Sequence, residues 1–307
     1  MTAPDPRYRW QLLRAGPLRL DGGGMFGIIP RAIWNKTVSV DEQGRIELAH
    51  NCLLLDPISP DEQTLGRVII EVGSGNKFDD KHRRIYGLSD RWIADALREV
   101  NVRPEDIADV IVTHLHFDHA GGLTRRGSSD EVVCTFPNAT VHVQRREWED
   151  ALANRSTMTR TYLRENLERE QFKLIDSLPP FAAGHLPDRD ELPPTALSER
   201  VTTILPGIDV FIVPGHTWGQ QAVRFTDERG QTVVFTPDII PTAAHVGAAY
   251  NMAYDVEPYV STVTRRWFLK EAADNDWLLV LNHEPGDPRR RARADGKGWY
   301  ELLPATE

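Results

Sequence analysis

The chain has 307 residues, 40% of them hydrophobic and 26% charged, with a formal net charge of −9. That length and balance exclude a disordered or fibrous chain and allow a large core without disulfides. The acidic excess argues against nucleic-acid binding, which needs a basic face to displace phosphate counterions.

The first residues, Met1-Thr2-Ala3-Pro4-Asp5-Pro6, lack the apolar centre of a signal peptide. No apolar run approaches the ~20 residues of a membrane span, so a cytoplasmic protein without membrane contact is expected. Short runs rich in Val, Ile and Leu then recur between Gly, Pro, Asp and Asn, which predicts strands. They cover 51–55, 67–72, 109–113, 140–144, 209–213, 221–225, 232–236 and 277–281. Trp92, Ile93, Ala96, Leu97 and Val100 share one helical face, with Ser89 or Asp90 placed to cap it. A second helix is predicted after Glu257, with Pro258 in its first turn and a core-facing stripe of Val260, Val263, Trp267 and Phe268.

Strands and helices alternate along the whole length, so the class is α/β or α+β. The stretch 145–200, with Pro179-Pro180, Pro187 and Pro193-Pro194, reads as a lid inserted in a single domain. Cys52 and Cys134 stand in apolar runs and read as reduced thiols. The dense basic run Arg289-Arg290-Arg291 reads as a solvated surface segment.

Directly after the predicted strand 109–113 comes His114-Leu115-His116-Phe117-Asp118-His119, followed by Ala120-Gly121-Gly122. Three imidazoles and a carboxylate within six residues would be costly to bury as packing. Together they are a ligand set suited to zinc and similar divalent ions. His114 and His116, alternate residues at a strand end, project to one side and would grip one ion. Asp118 and His119, beyond the strand, would reach a second, and the two glycines would permit a tight turn beneath.

In this pattern the chain resembles the metallo-β-lactamase superfamily. The resemblance implies a four-layer αβ/βα sandwich over residues 1–307, with ligands on loops along one edge of two packed sheets. The later ligands of that family are matched by His216 in Pro214-Gly215-His216-Thr217, by Asp238 after 232–236, and by His283 in Leu281-Asn282-His283. By resemblance, His114, His116 and His216 would hold one metal, Asp118, His119 and His283 the other, and Asp238 would bridge them. The expected cofactors are two divalent ions, zinc in first place with Fe, Mn or Co as alternatives. Two such ions deprotonate a shared water at neutral pH. The expected reaction is therefore hydrolysis by a metal-bridging hydroxide, with Asp118 and Asp238 orienting it.

Within the superfamily the chain is most similar to the N-acyl-homoserine lactonase-like branch. The matching segments are Asp21-Gly22-Gly23-Gly24-Met25-Phe26-Gly27 with Pro30 and Trp34, Asn51 to Leu54, Thr113 to Gly122, Phe136 to Ala139, and Gly215-His216-Thr217 with Gly219-Gln220. Opening of a lactone or cleavage of an ester is the implied activity. Phosphotriester, phosphodiester, β-lactam or thioester hydrolysis on the same site is the alternative, and an iron-based redox member a further one. Met25, Phe26, Ile29 and Trp34 are candidate substrate contacts; the other reading of this apolar loop is a turn packed on the core. Lactonases of this branch carry a Tyr three residues after the bridging Asp, where this chain has Pro241. His245, or Tyr250, is a candidate to serve in its place. His50, His82, His142 and His185 read as surface or satisfied polar side chains. The expected partner is a small-molecule substrate, with no nucleic acid and no membrane. The insertion and the Trp-containing N-terminal loop would support a homodimer.

Overall fold

The protein is described here from a computed structural model covering residues 6–58, 65–158, 160–168 and 171–305. Its first half opens with β1 (Arg7–Asp21), α1 (Gly22–Phe26), α2 (Arg31–Trp34), β2 (Arg45–Ile58) and β3 (Arg67–Ile70). Next come α3 (Asp80–Tyr86), α4 (Ile93–Glu99), β4 (Ile107–Ile111), α5 (Phe117–Ala120) and a small hairpin of β5 (Thr124–Arg126) and β6 (Val132–Cys134). The half closes with β7 (Thr140–Gln144), α6 (Arg145–Leu152) and β8 (Gln171–Ile175). Six of these strands form a sheet in the order β1-β2-β3-β4-β7-β8.

The second half contains α7 (Leu197–Arg200), β9 (Thr202–Leu205), β10 (Ile208–Ile212), β11 (Gln221–Thr226) and β12 (Thr232–Thr236). It ends with α8 (Pro258–Asp274), β13 (Leu278–Leu281), β14 (Arg289–Ala294) and β15 (Tyr300–Pro304). The strands make a seven-stranded sheet in the order β15-β14-β13-β12-β11-β10-β9.

The strand alternation explains the layers. In β2, Leu53 and Leu55 join Val68, Ile70, Ile111, Val210, Val223, Val233 and Val280 in a core between the two sheets. Their neighbours Cys52, Leu54, Ile69 and Val110 face the other way, onto Ile93, Ala96 and Leu97 of α4. Phe211, Val234, Leu279 and Leu281 likewise turn outward onto Trp267, Phe268 and Leu269 of α8. Each sheet is buried on both faces, which is why its strands read as continuous apolar runs. The result is the expected four-layer αβ/βα sandwich.

Several sequence readings shift here. α4 begins at Ile93, three residues after Asp90, and its first turn is closed by Asp95 accepting from the Trp92 N–H at 3.1 Å, so neither Ser89 nor Asp90 caps it. The run Arg289–Arg291 is not a free surface segment but part of β14. Its guanidinium groups pair with Asp287, Glu284 and Asp276. Of the stretch 145–200, α6 and β8 extend the first sheet and its layer, while Met158 and Thr161 reach over the ligand-bearing edge. Cys52 is buried and Cys134 half-buried, both unbridged. No helix among the described residues is long and apolar enough to cross a membrane.

Candidate metal centre

Both sheets end at one edge, and hydrogen bonds lock their ends together there. The Gln221 N–H of β11 donates to the Thr113 carbonyl at 2.9 Å, and its side chain donates to the Val112 carbonyl at 2.8 Å. β4 stops at Ile111, so His114 and His116 stand on the loop after it and not on the strand itself. Asp118 and His119 lie on α5. The glycines that follow act through close packing, since Gly121 has an ordinary φ of −61°. A Cβ on Gly121 would overlap the Ser74 carbonyl, and one on Gly122 the Val72 carbonyl.

All seven ligand candidates meet at this edge, each with less than a tenth of its surface exposed. Three groups among the described residues bring donor atoms within 4.8 Å of one another: His114 with His116 and His216, His114 with His119 and Asp238, and Asp118 with His119 and His283. Asp238 stands between the sets, its Oδ2 3.4 Å from His216 Nε2 and its Oδ1 3.4 Å from His283 Nε2.

The donor atoms fit divalent ions. Buried polar atoms are almost always hydrogen-bonded, yet Nε2 of His114 and Nε2 of His116 have no partner. Elsewhere basic nitrogens face one another, His216 Nε2 to His116 Nδ1 at 3.0 Å and His283 Nε2 to His119 Nε2 at 3.2 Å. Burial, then the neighbouring imidazoles, hold His114 and His116 well below the usual histidine range, in the neutral form that ligates metal. For Asp238 burial would favour the acid form. The surrounding His283, His119 and His216 outweigh it and keep the carboxyl well below its ordinary value.

Behind the ligands lies an oriented set of partners. Glu71 accepts from His119 Nδ1 at 2.9 Å and from the Thr113 N–H at 2.6 Å. Burial alone would lower His119, but Glu71, Asp238 and Asp118 together raise it well above the usual value. Asp255 accepts from His216 Nδ1 at 2.9 Å, and the Ala49 carbonyl from His283 Nδ1 at 2.9 Å. Asn282 donates to Asp238 Oδ1. Glu147, fully buried, accepts from the Leu115 N–H, the Tyr162 hydroxyl and the Thr217 hydroxyl, tying the loops of His116 and His216 together. Burial raises its carboxyl above the ordinary range. Such partners fix imidazole tautomers and ring orientation.

A narrow cavity opens over the ligand candidates. Besides His116, Asp118, His216, Asp238 and His283, its walls are Leu20, Met25, Tyr86, Phe117, Met158, Thr161, Met252 and Tyr254. Of the four expected substrate contacts, only Met25 is in this wall. Phe26 and Trp34 are buried in a satellite core and stacked on each other at 5.0 Å, and Ile29 packs against that core. Trp34 is buried, while Ile28 and Ile33 of the same loop stand exposed. His245 does not face the cavity either. Its ring stacks on Phe26 at 4.5 Å, pairs with the Thr242 hydroxyl at 2.8 Å, and meets the Met25 carbonyl through Nε2 at 3.1 Å. Tyr250 also packs against Phe26, edge-on.

The cavity wall holds two phenols, those of Tyr86 and Tyr254, and that of Tyr254 is the one seated on the N-terminal loop. Its hydroxyl rests on the backbone of Gly24, where a Cβ would overlap it. The same loop donates from the Ala253 N–H to the Gly24 carbonyl at 2.8 Å, and its Asn251 carbonyl packs on Gly27. Asp21-Gly22-Gly23-Gly24-Met25-Phe26-Gly27 is thus the strip on which residues 251–254 dock. The four remaining histidines lie outside the centre: His50 pairs with Gly16 and Ser74, His82 with Asp79 and His185 with Glu191, while His142 meets Asp109 through Nε2 and leaves its buried Nδ1 without a partner.

Residues 45–283 match the model of the metallo-beta-lactamase superfamily. An N-acyl homoserine lactonase of Bacillus thuringiensis is 28% identical over 190 residues, 62% of this chain and 60% of that protein. Another, from Rhizobium radiobacter, is 26% identical over 205 residues, 64% and 65% of the two. The chain thus spans about 60% of the length of the Bacillus relatives it matches. Among solved structures, a probable metal-dependent hydrolase from Staphylococcus aureus overlays with a TM-score of 0.76 at 25% identity, over all of both chains. A dizinc quorum-quenching lactonase in complex with an N-acyl-homoserine product overlays with a TM-score of 0.70 at 16% identity, over 99% of both, a likeness of fold alone.

Proposed function

Because this chain belongs to the metallo-beta-lactamase superfamily, we propose that its seven convergent side chains hold two divalent ions and that it hydrolyses a neutral lactone or ester. His114, His116 and His216 would hold one ion, Asp118, His119 and His283 the other, with Asp238 shared. Two ions of this kind, zinc first among them, supply a water activated at neutral pH and a Lewis acid for the acyl oxygen. The chain's own residues do the rest. Asp118, besides its place in the second ligand group, lines the cavity and would accept the water proton and return it to the leaving alcohol. Burial, then Asp21 and Asp118, push the Tyr254 phenol up to about 12, so it stays protonated and donates a hydrogen bond to the acyl oxygen. His245 and Glu71 position other groups and touch no substrate.

The observation that carries this reading is the pairing of that ligand set with a wall containing no Lys or Arg among the described residues. A phosphodiester or a β-lactam carboxylate would find no side-chain cation to bind it beyond the ions themselves. A neutral phosphotriester meets the same wall without that difficulty and is the second reading. The test is a panel on metal-loaded protein: a γ-lactone, an aryl ester, a phosphotriester, a phosphodiester and a penicillin. Turnover of the lactone and aryl ester above the others is expected. Turnover confined to the two anionic substrates would overturn the reading.

A further inference from the structure

A second cleft, of about 590 Å³, lies toward the end of the sheets opposite the metal edge. Leu278, the first residue of β13, and the turn 227–231 between β11 and β12 stand on its walls. Its apolar floor follows from strand alternation. Trp10 and Leu12 turn inward from β1, the outermost strand of its sheet, so both stay partly exposed. Arg14, two residues on, shares their side of the strand. Its Nη1 donates to Asn51 Oδ1 at 2.6 Å and to the Glu284 carbonyl at 2.9 Å, and its Nη2 to the Gly286 carbonyl. The Nε–H and one Nη2–H keep no acceptor among the described residues, and no carboxylate there stands within ion-pair distance. Burial pulls this guanidinium below the usual arginine value, although Asp287 and Glu284 act the other way. Arg229 likewise has no side-chain partner among the described residues. Arg289 and Arg291 complete the positive lining, paired with Asp287 and Asp276. Against these four guanidiniums stand the carboxylates of Asp227, Glu228 and Asp287. The lining thus carries one positive charge in excess, in a chain of net charge −9.

We propose that this cleft is a second ligand site, which binds an apolar carboxylate away from the metal centre. The carboxylate is held by Arg14 and Arg229, and the apolar body lies on Trp10, Leu12 and Leu278. An arginine edge with two N–H groups to spare matches the two oxygens of a carboxylate. A monoanion fits the excess of one charge, whereas a phosphate dianion would meet the three acids as well. An apolar floor with a few convergent polar groups is the usual make-up of a small-molecule site. Hydrolysis of a neutral lactone or ester releases a molecule of this class. On the hydrolase reading above, on which this one point rests, the cleft takes the reaction's own product. Arg14 also ties the cleft to the loop that follows His283, through the Glu284 and Gly286 carbonyls.

The test uses the metal-loaded full chain with ¹⁵N in its tryptophan indoles. The chain has eight tryptophans, and the Trp10 signal is the one lost in Trp10→Phe. Titration with octanoate should shift that signal to saturation. Butanoate, which lacks the apolar body, and octan-1-ol, which lacks the charge, should each bind at least about tenfold more weakly. Octyl phosphate should bind no more tightly than octanoate. Arg229→Glu, on an exposed turn, should weaken octanoate at least about tenfold with metal content unchanged. Octanoate held only by the ions would not respond to that substitution. A Trp10 signal that stays fixed under excess octanoate would overturn the site. So would one that follows octan-1-ol equally well, or that titrates alike in Arg229→Glu, and tighter binding of octyl phosphate would overturn the monoanion. A saturable Trp10 shift in protein that turns over neither lactone nor ester would uphold the site and count against the hydrolase reading instead.

Discussion

Nδ1 of His116 lies 3.0 Å from Nε2 of His216, whose other nitrogen is held by Asp255. With Nδ1–H given to Asp255, His216 presents a lone pair to its neighbour, and His114 adds an unpartnered Nε2 to the same group. A divalent ion would take up these lone pairs, and its binding would stabilise the fold. An ion held at 100 times its Kd adds about 2.7 kcal/mol, so its removal should lower Tm by about 4 °C in a chain of this size. Calorimetry before and after chelation checks this, with zinc restoring the original Tm. A Tm indifferent to metal removal would contradict it.

Glu71 acts on the centre through His119. Glu71→Gln keeps shape but loses the charge that orients His119 Nδ1–H. Metal affinity should fall about 10- to 100-fold, read by competition with a chromophoric chelator. Unchanged affinity would leave Glu71 a merely structural anchor for the Thr113 N–H.

Tyr254 and Gly24 form a linked pair. Tyr254→Phe should lower kcat by about 100-fold with little change in KM or metal content. Gly24→Ala forces the hydroxyl off its seat and should cost kcat in the same direction. The double variant should be no worse than the poorer single one, because both remove one interaction. Fully additive losses would separate the two residues.

His245 predicts a pH dependence of stability. Burial, then the Arg265 charge, lowers its pKa to about 3, from an ordinary 6.5. The unfolded chain therefore takes a proton below pH 6.5 that the folded chain refuses until about pH 3. Stability is lost as pH falls through that window, by at most about 1.4 kcal/mol per unit from this group. His245→Phe should cost about 1–2 kcal/mol at pH 7 from lost hydrogen bonds and then lose less on acidification. Urea unfolding at pH 7 and pH 4.5 checks this; an unaltered pH slope would refute it.

That these seven side chains converge was legible from the dense cluster His114–His119 after a strand and, for His216, Asp238 and His283, from the resemblance to the family. Eight strands were readable because sheets buried on both faces leave unbroken apolar runs. β1 was not, since arginines alternate along it and its register shifts between Arg14 and Pro17. β14 was hidden for a like reason: arginines at 289, 290, 291 and 293 break any apolar run along it. Glu71 left a trace, as the one acid in the apolar run 67–72. Asp255, Glu147 and Asn282 left none, because their roles depend on which loops meet at the sheet edge. The N-terminal motif was read by its large side chains, whereas its glycines set the geometry by letting residues 251–254 come close.

The central claim is that seven side chains hold two ions and that both are needed. Metal content by mass spectrometry, measured on the purified chain and on Asp238→Ala alongside activity, tests it most directly. The expected result is two divalent ions per chain, with fewer than two and little lactone or ester turnover after the substitution. Full metal content together with full activity in Asp238→Ala would contradict it.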